Sequence, residues 1–312
     1  IILHERGRTN EAIKAYKKVL LFKPECPLTL NSLANVYKDK EKFNEAINFY
    51  NQAISFKKDF EMAKAQKFFM LSCICDWESI EQHHSSITKL GTKNQHVTPF
   101  SLLFTEDNPQ THKKRSEIFA KSVFLYKSIP INIRTLNSKK RIRIGYFSAD
   151  FHNHATMILM SKIFNLHDRE KFEIYAYSIG PKRDDYMREN LIKSVDVFDD
   201  VSQMSDRDIA LLARQDEIDI AIDLKGYTHQ CRTGIFAFRA APIQINYLGY
   251  PGTMGADFID YIIADRIIIP KQLRDCYTEE IIYMPNSYQP NNNNRQISEK
   301  KIIKSDVGLP TD

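Results

Sequence analysis

Asn10-Glu11-Ala12-Ile13 returns 34 residues later as Asn44-Glu45-Ala46-Ile47, and the register holds beyond those four positions. Tyr16 aligns with Tyr50, Val19 with Ala53 and Phe22-Lys23 with Phe56-Lys57, while Pro24 closes the first copy. Ahead of the second copy Leu30, Leu33, Ala34 and Tyr37 recur at helical spacing, with the small Ala34 where two helices must approach closely. A period of this length describes a helical hairpin whose apolar face is covered only by its neighbours, so about one and a half copies do not make a stable array alone. Further repeats are therefore expected upstream of Ile1, which is not a methionine. The amphipathic stretch from Glu61 to Cys75 lacks the key repeat residues and is expected to cap the stack.

These spacings resemble the tetratricopeptide repeat, which sets the first region at residues 1–76. Residues 77–137 read as a helical connector, punctuated by Pro99, Pro109 and Pro130, with one helix from about Gln110 to Tyr126. Its basic run His112-Lys113-Lys114-Arg115 reads as a solvated face. From Lys139 the period changes from helix to strand. Arg141 to Phe147, Phe172 to Ser178, Ile218 to Leu224, Ile243 to Leu248 and Tyr261 to Ala264 read as strands, with helices at Thr156 to Leu166, Asp184 to Lys193 and Asp206 to Arg214. Strands that alternate with helices and become apolar throughout argue for a parallel sheet covered on both faces. The fold class is thus α + α/β: helical hairpins, then a Rossmann-like lobe over 138–295, with 296–312 opening a further lobe.

In an open parallel sheet, ligands sit beyond the carboxyl ends of the strands. That rule selects Asp150 to Thr156 after the first strand, Gly226-Tyr227-Thr228 after a later one, and Gly249-Tyr250-Pro251-Gly252-Thr253 after the next. Asp150 and His154 across one loop can orient or charge a histidine for proton transfer, with Asn153 and Thr156 as neutral hydrogen-bonding groups. Alternatively, Asp150 or Thr156 simply caps the following helix and the histidines are surface residues. The Gly249 to Thr253 turn can present amides to a ligand, or serve as a tight strand-to-helix connection. Ser205-Asp206-x-Asp208 reads as a helix cap. Dinucleotide and P-loop glycine fingerprints are absent, as is the nucleophile elbow.

A net charge of +5, from 44 Lys+Arg against 39 Asp+Glu, gives no case for nucleic acid. No apolar run reaches the roughly 18 residues that cross a bilayer. The five cysteines are scattered, and Cys73-x-Cys75 has no second pair to complete a zinc site. Reduced thiols and a cytoplasmic location follow as expectations.

The repeat is followed by Arg143-Ile144-Gly145-Tyr146-Phe147-Ser148-Ala149-Asp150-Phe151-His152-Asn153-His154 and then by Asp223 to Thr228. Next come Ala241-Pro242-Ile243-Gln244, Leu248 to Thr253, Asp260 to Asp265 and Tyr283-Met284-Pro285. Their order and spacing, over about residues 139 to 310, resemble the protein O-linked N-acetylglucosamine transferases. The resemblance implies an inverting, metal-independent enzyme with no cofactor that moves N-acetylglucosamine from UDP-GlcNAc to Ser or Thr of proteins. It implies two Rossmann-like lobes of the GT-B type, with the repeat groove guiding the polypeptide acceptor. By position, His154 and Asp150 would be catalytic. Thr156 and the backbone around Leu248, Gly249 and Pro251 would contact the sugar, Asn153 would face the acceptor, and Arg232 would help select it. His229 stands where the family places a lysine. Thr98-Pro99-Phe100-Ser101 replaces a histidine-rich segment that touches the donor. The lobe carrying most uridine and diphosphate contacts would follow Asp312, so these 312 residues alone are expected to lack turnover. The alternatives are a non-catalytic interaction module and a related transferase using another sugar donor.

Overall fold

A computed structural model describes residues 2–5, 8–125, 141–294 and 297–310. The repeat region consists of helices α1 (Thr9–Phe22), α2 (Pro27–Asp39), α3 (Phe43–Phe56) and α4 (Glu61–Cys73). Pro27 starts α2 at a position whose N–H has no helical partner anyway. The repeat residues bury each other: Leu30 and Ala34 of α2 meet Ala46, Tyr50 and Ala53 of α3, and Ala63 and Met70 of α4 complete the cluster. Tyr37 stacks on Phe49 with ring centroids 5.3 Å apart. The α4 helix caps this stack with one face and turns Ala65, Phe68 and Leu71 to the next segment, where Ile80, Ile87, Leu90, Val97 and Leu102 receive them.

Packing divides the connector. Residues up to Leu102 belong to the repeat side, whereas α5 (Pro109–Val123), capped by Asn108, contributes Ala120 to the core of the lobe. Phe119 of α5 meets Tyr227 edge to face at 5.0 Å, and Phe124 meets Phe258 at 5.6 Å. The basic run is not a solvated face. The guanidinium of Arg115 is fully buried, donating to Leu90 O at 2.8 Å and Thr88 O at 2.6 Å with Glu106 at 2.7 Å. Lys113 donates to Asp275 O. The residue types read as surface charge because the carbonyls that need Arg115 are supplied by a distant loop. Tyr126, Pro130 and the boundaries expected at 137/138 and 295/296 lie outside the described residues.

The lobe is one sheet of parallel strands in the order β3-β2-β1-β4-β5-β6-β7. The strands are β1 (Ile142–Ser148), β2 (Phe172–Ser178), β3 (Val197–Asp200), β4 (Ile220–Asp223), β5 (Ile243–Tyr247), β6 (Tyr261–Ala264) and β7 (Glu280–Tyr283). Both faces are covered, as a parallel sheet requires. Phe147, Tyr177, Ile209, Ala213, Phe236 and Tyr250 fill one side. Tyr146, Phe164, Ile174, Leu191, Ile222 and Ile245 fill the other. The expected helix from Thr156 to Leu166 is two short ones, α6 (Ala155–Met160) and α7 (Ile163–Leu166). Helices α8 (Tyr186–Ser194) and α9 (Asp206–Gln215) lie near their expected positions, and Ser205 caps α9 through the N–H of Asp208 at 3.2 Å. No helix joins β5 to β6. Residues 248–260 cross over as a loop, with Tyr250, Met254, Ala256 and Ile259 buried where a helix face would otherwise sit. Among the described residues, no helix is long and apolar enough to cross a membrane.

Candidate active site

The strand order reverses between β1 and β4, and that switch point is where the loops beyond two neighbouring strands diverge to leave a crevice. One loop, after β1, carries Asp150 to His154; the other, after β4, carries Lys225. Lys225 Nζ lies 2.6 Å from Asp150 Oδ2, with side chains only 6% and 7% exposed. The same carboxylate oxygen accepts the Thr156 hydroxyl at 3.4 Å and stands 3.5 Å from His154 Nδ1. Lys225 is the functional candidate that sequence reading passed over. Its signal is topological: 75 residues separate it from Asp150, and only the pairing of β4 with β1 brings them together.

His154 is the N-cap of α6, its Nδ1 accepting the N–H of Thr156 at 3.2 Å. The cap is thus His154 itself, not Asp150 or Thr156 as the alternative reading expects, and His152 of the same loop is buried and not a surface residue. Burial lowers the His154 pKa most, and Lys225, His152 and Arg183 add to the lowering against the opposing pull of Asp150. The imidazole is nonetheless 42% exposed. Asn153 has an exposed side chain, and its N–H is held by Asp185 Oδ2 at 2.7 Å.

The third loop packs directly on the second. A Cβ on Gly249 would stand 2.2 Å from Leu224 O, and a Cβ on Gly226, whose φ is +52°, would stand 2.4 Å from the Cβ of Tyr250. Leu248 has φ +71° and is bridged by Gly249 N–H to Tyr247 O at 3.0 Å, a left-handed γ-turn that stores strain at the rim. Several groups hold this turn in place. Asn246 Nδ2 donates to Tyr250 O, Tyr277 donates to Pro251 O, and buried Glu279 accepts Thr253 Oγ1 and the N–H of Met254. The turn is a tight connection, but not the expected strand-to-helix one: no helix follows it, and the chain runs on as a loop to β6.

Arg232 stands apart. Its guanidinium is bonded to Asp206 Oδ1 at 2.7 Å and to Met204 O at 2.7 Å. Burial lowers the pKa of His229 most, with Lys38 and Lys225 adding to the lowering against Asp39 and Asp150. At the segment that departs from the expected histidines, the hydroxyls of Thr98 and Ser101 both accept from Gln66 Nε2, at 3.3 and 2.9 Å. Gln244 of the Ala241–Gln244 block is a structural bolt, accepting Ala240 N–H and donating to the carbonyls of Phe236 and Phe258.

The profile of glycosyl transferase family 41 matches residues 92–307. The chain belongs to that family. A tetratricopeptide-repeat profile matches residues 29–60, the span of α2 and α3. Two curated relatives are each 32% identical to this chain over the aligned residues. One is the probable UDP-N-acetylglucosamine–peptide N-acetylglucosaminyltransferase SEC of Arabidopsis thaliana, aligned over 78% of this chain and 27% of its own length. The other is the UDP-N-acetylglucosamine–peptide N-acetylglucosaminyltransferase of Caenorhabditis elegans, aligned over 74% and 22%. The chain thus spans about a quarter of the curated relatives it matches. A solved structure of a Thermobaculum terrenum O-GlcNAc transferase mutant shares the fold, with a TM-score of 0.70 at 22% identity over 92% of this chain and 56% of that one. The family 41 profile covers the doubly covered parallel sheet and the tetratricopeptide profile the helices ahead of it, in line with the helical hairpins and GT-B lobe expected from sequence.

Proposed function

We propose that this chain forms the acceptor-side half of a protein N-acetylglucosaminyltransferase, in which UDP-GlcNAc donates the sugar to Ser or Thr hydroxyls of polypeptides. The observation that carries the reading is the convergence of Asp150, His154, Thr156 and Lys225 at the switch point of a family 41 sheet, beside the clamped turn from Leu248 to Pro251. The acceptor hydroxyl attacks the anomeric carbon in line as the diphosphate departs, which inverts that centre, with no metal ion or other cofactor taking part. His154 and Asp150 shape the acceptor side. Thr156 and the backbone of Leu248, Gly249 and Pro251 approach the sugar, and the exposed Asn153 meets the acceptor. Arg232 acts through the Asp206 contact that fixes it, shaping the acceptor entrance rather than offering a free charge. The repeat groove delivers the polypeptide. The regions at 1–76, 77–137, 138–295 and 296–312 serve as repeat stack, connector, catalytic lobe and start of the second lobe. A cytoplasmic setting fits free thiols at all five cysteines.

The test is sugar transfer from UDP-GlcNAc to Ser/Thr peptides by the natural protein carrying these residues. His154→Ala is expected to lower kcat roughly 100-fold while calorimetric donor affinity changes less than about twofold. Equal losses in both would make His154 a binding contact, and a protein that neither binds UDP-GlcNAc nor transfers the sugar would remove the reading.

A further inference from the structure

The rim also determines which nitrogen of His154 carries the proton. Its Nδ1 accepts the N–H of Thr156 at 3.2 Å, and a ring nitrogen that accepts carries no proton, so the neutral ring holds its hydrogen on Nε2. The opposite tautomer needs Nδ1–H to donate to Asp150 Oδ2, which is 3.5 Å away. That oxygen is already engaged by the Lys225 ammonium at 2.6 Å and by the Thr156 hydroxyl at 3.4 Å. A carboxylate that is neutralised and hydrogen-bonded in this way is a poor competitor for a longer third contact.

We infer that Lys225 is a positioning residue that holds His154 in its Nε2–H form, so that His154 meets the acceptor side as a hydrogen-bond donor and not as a general base. The inference rests on the transferase reading only for the word acceptor; the proton map belongs to the side chains themselves. The charged and titratable groups that face the ring are Asp150 and His152 of its own loop, Lys225 from the β4 loop and Arg183 from the β2 loop. His152 contributes an edge-to-face ring contact at 5.7 Å. Removing Lys225 leaves Asp150 buried with an uncompensated charge, and His154 is the nearest group that can answer it by taking a proton on Nδ1.

The experiment uses the full 312-residue chain labelled with 15N-histidine, with long-range 1H–15N correlation spectra recorded from pH 5 to pH 9. A His154→Gln sample assigns the resonance. The wild-type chain is expected to show an Nε2–H ring for His154 at neutral pH. Lys225→Met is expected to move that ring to Nδ1–H or to imidazolium, with at least a tenfold gain in proton affinity. A wild-type His154 protonated on Nδ1, or a Lys225→Met spectrum with unchanged tautomer and midpoint, overturns the inference. Should Lys225→Met fail to fold, Lys225→Gln is expected to shift the ring in the same direction, and an unshifted ring there overturns the inference too. No substrate enters the measurement. An absence of sugar transfer by the natural protein would sink the transferase reading, while the tautomer result would stand or fall separately.

Discussion

Lys225 and Asp150 form a 2.6 Å ion pair across the switch point of the sheet, one side chain arriving from β4 and the other from β1. Two buried charges held this closely are costly to separate. Removing one partner strands the other in a poorly solvated site, at roughly 3–5 kcal/mol. Lys225→Met and Asp150→Asn are each expected to lose stability on that scale, and the double variant to recover at least half of the summed loss. Urea denaturation of all four proteins closes the cycle; a coupling below about 0.5 kcal/mol would show that the two groups act independently.

Gly249 is held against backbone, which cannot give way as a flexible side chain can. A methyl group there meets Leu224 O at 2.2 Å. Gly249→Ala is expected to destabilise the chain by about 2–4 kcal/mol and to shift the resonances of Lys225 as well as its own neighbours. Gly308, whose surroundings are open, is the control. A Gly308→Ala cost equal to that of Gly249→Ala would mean that the rim contact is not what matters.

Asp223 and Asn246 are register partners on β4 and β5, and each has a buried oxygen without a hydrogen-bond donor. Burial pushes the Asp223 carboxyl up to about 6. In the unfolded chain it titrates near 3.9, so the folded state binds the extra proton between those values. Its contribution to stability is therefore full below about pH 4 and lost as pH rises through about 6. Asp223→Asn keeps an oxygen for the N–H groups of Lys225 and Gly226 and supplies a neutral amide. Its stability relative to wild type is expected to improve by about 2 kcal/mol between pH 4 and pH 7. A pH-independent difference in denaturation midpoints would refute that account.

Arg115 is the residue whose loss should be felt most in the connector. Arg115→Met leaves two carbonyls and Glu106 without their cation, at about 3–5 kcal/mol, whereas Lys114→Met, on the exposed side of the same helix, is expected to change stability by less than about 0.5 kcal/mol. Thermal melts of the two variants make the comparison, and similar midpoints would return the basic run to the surface.

The repeat helices were legible because Ala, Tyr and Leu recur at a period that the packing itself imposes, and β1, β2, β4, β5 and β6 because each is rich in β-branched and aromatic residues. β3 and β7 escaped notice for one physical reason. They flank the sheet at its two ends, where Val197-Phe198-Asp199-Asp200 and Glu280 to Tyr283 stay partly solvated and carry acids that dilute the pattern. The Asp150–His154–Thr156 loop was found from its place after the first strand. Lys225 was not, because a lysine after a short strand has no local mark of burial. What marks it is its partner, and the partner belongs to a strand that sequence order does not bring near.

The α5 helix behaves as a strut. One side grips the carbonyls of Thr88 and Leu90 through Arg115, behind which stand Ile87, Leu90 and the cap of the repeat stack. The other side bears on Gly255, whose missing Cβ would lie 2.4 Å from Glu117 N, at the end of the turn that begins with the strained Leu248. The cap of the repeat stack and the rim turn are thus joined by direct packing on a single helix, each bearing on a different part of it.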